Sequence, residues 1–80
     1  MTKAEREVLA KMKAGDPIEY HPQLMNTPVY LDGNSRISWS LFATLRHKRW
    51  IAVDPERSAR DTATWYDITD AGRVALLEEE

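Results

Sequence analysis

The sequence predicts an α+β chain, with helices packed on a small antiparallel sheet, and three stretches carry that expectation. A capped amphipathic segment opens the chain and stops at a glycine. A second amphipathic segment at residues 39–49 is entered from one strand candidate and left into another. A β-rich run at residues 64–68 then pairs back before a closing helix. Eighty residues hold one hydrophobic core and no more, so residues 1–80 are read as a single domain.

The first helix is expected over residues 3–14. Thr2 and Glu5 form a T-x-x-E capping box, in which each side chain satisfies the other's free amide. Ala4, Val8, Leu9 and Met12 fall on one side at helical spacing, with Arg6, Glu7, Ala10 and Lys13 behind. Gly15 supplies a left-handed C-terminal cap, and Asp16-Pro17 prevents continuation.

Residues 15–34 are broken by Pro17, Pro22 and Pro28, so no long helix runs there. His21-Pro22-Gln23-Leu24-Met25 offers one short turn. Val29, Tyr30 and Leu31 form a short strand at residues 29–31, and Asp32-Gly33 is a strong hairpin signal with Arg36 and Ile37 pairing back. Tyr20, Leu24, Met25 and Tyr30 are expected to cover the core.

Ser38 caps the helix at residues 39–49. Leu41, Phe42 and Leu45 gather on its inward arc. Ser40, Ala43, Thr44 and His47 occupy the opposite arc, with Trp39 and Arg46 on its flank. Arg46, His47, Lys48 and Arg49 fill the last turn, where cations complement the helix dipole. A hairpin follows at about residues 50–54 and 63–68, with a polar tip at 56–62 that carries Arg57 and Arg60. Thr69 caps the final helix at residues 70–78, with Asp70 in its first turn. Leu76 and Leu77 supply its apolar content, and the terminal Glu78-Glu79-Glu80 is expected to fray.

Charge is unevenly distributed. The formal net charge is −2, which argues against a generic nucleic-acid binder. Yet residues 36–60 hold six bases against two acids, and the rest of the chain holds five bases against eleven acids. The polarity places a basic cluster at residues 46–49 with two further arginines in the tip.

Several classes are disfavoured. No apolar run reaches membrane-spanning length. The start, MTKAEREVL, lacks an apolar signal core, so a cytoplasmic location is expected. With no cysteine there is neither a disulfide framework nor thiolate chemistry. The two histidines, His21 and His47, fall in different elements, and no phosphate-cradling glycine loop, nucleophile elbow or dinucleotide fingerprint occurs. The expectation is therefore a non-enzyme without cofactor or metal.

Two motifs carry a family resemblance. Tyr66-Asp67-Ile68-Thr69-Asp70-Ala71-Gly72-Arg73, read as Y-x-I-T-x-x-G-R, resembles the strand-to-helix junction of bacterial winged-helix proteins. Ile37-Ser38, Leu45 and Arg49-Trp50-Ile51 resemble the recognition helix and first wing strand of the same superfamily. Gly72 has its own physical reason, since a missing side chain lets the last helix sit close against the sheet. The resemblance implies a winged-helix-like fold with a β-hairpin wing. It also implies a function in transcription regulation by binding double-stranded DNA, as a monomer or homodimer. In that reading Ser40, Thr44 and His47 face base edges. Arg46, Lys48 and Arg49 meet phosphates, and Arg57 and Arg60 on the wing reach the adjacent backbone or minor groove.

The sequence also departs from the family. The helix that braces a recognition helix would fall in the proline-broken segment, and Trp50 stands where the family usually has a small residue. The alternative is a phage- or plasmid-type protein-interaction module that docks on a host protein, with Trp39 and His47 in the contact surface. Its motive is the set of three tryptophans, Trp39, Trp50 and Trp65, because exposed tryptophan is typical of interface hot spots.

Overall fold

The first helix, α1 (Lys3–Lys13), begins at the capping box. The Thr2 amide donates to Glu5 Oε1 at 2.8 Å, and the Glu5 amide donates to Thr2 Oγ1 at 3.1 Å. Its end is a Schellman motif. Gly15 adopts φ 116°, its amide donates to the Met12 carbonyl, and the Asp16 amide reaches back to Lys11. Val8, Leu9 and Met12 are buried as their spacing requires. Ala4 is exposed and Glu5 is buried in its place, because the carboxylate is turned inward by its bond to Thr2 and by the ammonium of Lys48.

The computed structural model describes residues 1–22, 28–31 and 35–79. After α1 come strands β1 (Ile18–Tyr20), β2 (Val29–Leu31) and β3 (Ser35–Arg36), helix α2 (Trp39–His47) and strand β4 (Ile51–Val53). A short helix α3 (Pro55–Ala59), strand β5 (Thr64–Ile68) and helix α4 (Asp70–Glu79) complete the order. The strands form one five-stranded sheet in the order β3-β2-β1-β5-β4, with every pairing antiparallel. The chain is thus α+β, with helices on an antiparallel sheet. None of its described helices is long and apolar enough to cross a membrane.

Strand periodicity splits the sheet into two faces. Ile18, Val29, Leu31, Ile51, Tyr66 and Ile68 are buried on one face. They join Leu9, Met12, Phe42, Leu45 and Leu76 from the helices in a single core. Glu19, Tyr30, Arg36, Ala52, Trp65 and Asp67 occupy the other face, as the registers require.

Several expectations are corrected here. Strand β1 went unread, although it is the sheet's central strand. Only three residues long and fenced by Pro17 and Pro22, it gives too little alternation to register. Tyr20 is half-buried against the core, as expected, but Tyr30 belongs to the opposite face. The Asp32-Gly33 turn and the Leu24 and Met25 positions lie outside the described residues.

The tip after β4 is not an open loop, because Asp54 caps α3 by accepting from the Arg57 amide, with Pro55 at the first helical position. Trp50 and Trp65 are half-buried, with Trp50 packed against the core. Leu76 is buried, but Leu77 is 58 % exposed. The last helix continues through Glu79, since the dipole penalty on an acid near a helix C-terminus is only a few tenths of a kcal/mol or so.

The end of α2 meets the start of α4 in one backbone clasp. The helix stops at His47, two residues early, and closes with a second Schellman motif in which Lys48 is the cap and Arg49 sits at φ 61°. The Arg49 amide donates to the Arg46 carbonyl, and the Trp50 amide to that of Leu45. Thr69 then joins the two helices. Its amide donates to the Trp50 carbonyl at 2.9 Å, its hydroxyl donates to the Arg49 carbonyl at 2.8 Å, and the same hydroxyl accepts from the Gly72 amide. A Cβ on Gly72 would lie 2.4 Å from the Trp50 oxygen. The Y-x-I-T-x-x-G-R motif is therefore a clasp whose threonine and glycine each have a steric or hydrogen-bonding duty.

Candidate functional site

Helix α2 presents two adjacent stripes to solvent. Ser40, Thr44 and His47 are all exposed along one of them. The Thr44 hydroxyl donates to the Ser40 carbonyl at 2.9 Å, so its donor is spent within the helix. The second stripe is Trp39, Ala43 and Arg46, spaced i, i+4 and i+7, and it borders the core residue Phe42.

Trp39 is 49 % exposed, yet it is not free to wander. Its ring centroid lies 5.8 Å from that of Tyr20 and 5.6 Å from that of Phe42. Tyr20 and Phe42 are themselves 5.3 Å apart, and Phe42 meets Tyr66 edge-on at 5.0 Å. The guanidinium of Arg46 lies 5.4 Å from the Phe42 centroid and 5.8 Å from that of Tyr66. Val53, 47 % exposed, is directly across from Tyr66 in the β4–β5 ladder and so adjoins the ring beneath that guanidinium. Trp39, Tyr20, Arg46 and Val53 thus surface from one braced aromatic cluster. Tyr20 and Val53 were missed by sequence reasoning because only the β1 and β4 pairings bring them here.

The remaining cations diverge. Lys48 is drawn toward α1, where its Nζ donates to Glu5 Oε2 at 3.2 Å and lies 4.5 Å from the Trp50 ring centroid. Burial pushes the Glu5 carboxyl up. The hydrogen bonds from Thr2 and the Lys48 ammonium outweigh it and hold the group below its ordinary value. His47 and Arg49 are exposed at the end of α2.

Arg57 stacks on Trp65 at 5.1 Å, and Trp65 projects from the face of β5 opposite to Tyr66. Arg46 and Arg57 therefore flank opposite faces of the sheet. Arg60 shares a polar recess with Asp54, Glu56, Arg57, Asp61 and Trp65, so acids surround the tip arginines. Asp61 accepts from the Trp65 indole at 3.1 Å and from the Thr62 and Ala63 amides, which keeps its carboxyl below the usual range. Of the eight residues expected to contact nucleic acid, Ser40, Thr44, Arg46, His47 and Arg49 share α2 and its end. Lys48 is paired with Glu5 on α1 and Arg57 is stacked on Trp65, while Arg60 lines the acid-bearing recess at the tip.

Between α1 and α2 the chain supplies β1, β2 and β3, so among the described residues no helix braces α2 from the position the winged-helix resemblance implies. A groove of about 600 Å³ opens between α1 and the start of α2, lined by Ala4, Val8, Leu31, Ile37 and Leu41 among others. Among the described residues no three histidine, cysteine or acidic side chains gather as a metal site. Comparison with family models, curated proteins and solved structures finds no significant match for this chain.

Proposed function

We propose that the chain is a small docking module that binds another protein through the Trp39–Ala43–Arg46 stripe of α2, with Tyr20 and Val53 at its border. One observation carries this reading: Trp39 is half-exposed but already fixed by two ring neighbours. A large aromatic side chain ordered before the partner arrives loses little rotamer entropy on binding. Tryptophan, tyrosine and arginine are also the residues in which interface energy concentrates. The partner is a host protein, in keeping with a phage- or plasmid-type module.

A second reading, a winged-helix DNA-binding regulator, draws support from the exposed Ser40–Thr44–His47 stripe and from the succession of α2, β4, β5 and α4 in the second half of the chain, with α3 between the two strands. Against it stand the divergent cations and the three strands in place of a bracing helix.

A tagged chain incubated with nuclease-treated bacterial lysate separates the two. The docking reading expects retained protein partners that are lost on combining Trp39→Ser with Arg46→Ala and kept by Arg57→Ala with Arg60→Ala. Loss of all partners on nuclease treatment, together with a salt dependence flattened by the Arg57 and Arg60 changes, supports DNA instead.

A further inference from the structure

The sheet face turned away from the core carries a row that the α2 surface does not use. In the register, Arg36 pairs with Tyr30, Tyr30 with Glu19, and Glu19 with Trp65. Directly paired residues project to the same side, so a carboxylate stands between two aromatic side chains in adjacent strands. Strands are about 4.8 Å apart, which places Tyr30 and Trp65 about 10 Å apart across Glu19. A cation held over Glu19 would therefore have an aromatic side chain in the strand on either side, the kind of neighbour with which a cation–π contact forms. Both rings are half-buried, and the Glu19 side chain retains 18 % of its exposure.

Three neighbours sharpen the site. Trp65 already makes one such contact, with the Arg57 guanidinium at 5.1 Å, so an incoming cation would use the side of the ring that Arg57 leaves. His21, two residues beyond Glu19 on the same face, sets its ring edge-on to Tyr30 at 5.9 Å and its Nε2 3.4 Å from Glu19 Oε1. That contact is an ion pair only when the imidazole is protonated. Asp67, which is exposed, adds a second carboxylate on the same face. Cations thus lie at the two ends of the row, at Arg36 and Arg57, and the acids lie in the middle.

We propose that this face recognises an arginine or lysine side chain carried by a basic segment of a partner protein. The cationic head sits over Glu19 between Tyr30 and Trp65. Charge complementarity selects this occupant over a nucleic-acid strand, whose phosphates would meet Glu19 and Asp67. The surface is separate from the Trp39 stripe and does not depend on it.

The test is an NMR titration of the whole chain with a capped five-residue peptide, a central arginine flanked by serine and glycine. The neutral citrulline analogue is titrated in parallel. Arginine is expected to shift the Trp65 indole, Tyr30 and Glu19 signals saturably, and citrulline or Glu19→Gln to weaken binding by about fivefold or more. Tyr30→Leu serves as a second variant should Glu19→Gln disturb the spectrum, and Trp39→Ser should leave the titration unchanged. Equal shifts with citrulline, shifts confined to α2, or no shifts at all would overturn the proposal.

Discussion

Replacing Gly72 with alanine sets two opposed effects against each other, and the structure decides between them. In an isolated helix the change is favourable by about 1 kcal/mol. In this fold the new Cβ would sit 2.4 Å from the Trp50 carbonyl oxygen and 2.9 Å from Ile68 Cγ1. The first partner is backbone, so it cannot swing aside. Helix α4 must retreat by roughly 1 Å, an overpacking cost of about 1–3 kcal/mol. Retreat also stretches the bonds from the Thr69 amide to Trp50 and from the Thr69 hydroxyl to Arg49, each contributing about 1 kcal/mol. The net expectation is a loss of about 2–4 kcal/mol, a large share of the roughly 4–12 kcal/mol available to a chain this size. Urea unfolding followed by tryptophan fluorescence measures it directly. An unchanged or raised midpoint would mean that helix propensity governs and the close approach does not exist.

Three further expectations concern the same framework. Arg49→Gly relieves a left-handed residue at φ 61° and should stabilise by about 0.5–1 kcal/mol, read as a rise in melting temperature; a fall would mean that the arginine side chain holds the turn. Thr69→Ala removes both the helix cap and the bond to the Arg49 carbonyl, for a loss of about 1–2 kcal/mol in the same urea assay; a loss under 0.3 kcal/mol or so would dismiss the clasp. The carboxyl of Glu5 is held below its ordinary value of 4.5, so its ionised form stabilises the fold at neutral pH, and that contribution disappears as pH falls below 4.5 through the lower folded value. Glu5→Gln should therefore be less stable than the parent at pH 7 by about 1–2 kcal/mol and equal to it near pH 2 or so. A gap independent of pH would assign the loss to packing rather than charge.

What the residues disclosed unaided follows how local the governing physics is. The T-x-x-E box, the Gly15 stop and the Ser38 cap act within a few residues, and helices α1 and α2 begin where those signals put them. The glycine of Y-x-I-T-x-x-G-R was legible as a close-approach position, though its partner, the Trp50 carbonyl, was not. Strand β1 was hidden because three residues between prolines owe their conformation to neighbours on both sides. The tip helix was concealed by polarity, since α3 buries no side chain fully and is announced only by Asp54-Pro55. The basic cluster was visible as composition, but its scattering was not. Adjacent residues Trp65 and Tyr66 project to opposite faces and carry Arg57 and Arg46 apart, and a buried acid on α1 draws Lys48 away.

Site-specific photo-crosslinking weighs the docking account most directly. A photoreactive phenylalanine analogue at position 39, compared with one at the exposed Val74 on α4, would be irradiated in bacterial lysate with and without nuclease. Docking through α2 predicts a discrete protein adduct from position 39 that survives nuclease and is missing from position 74. An adduct from position 39 that vanishes with the nucleic acid would contradict it.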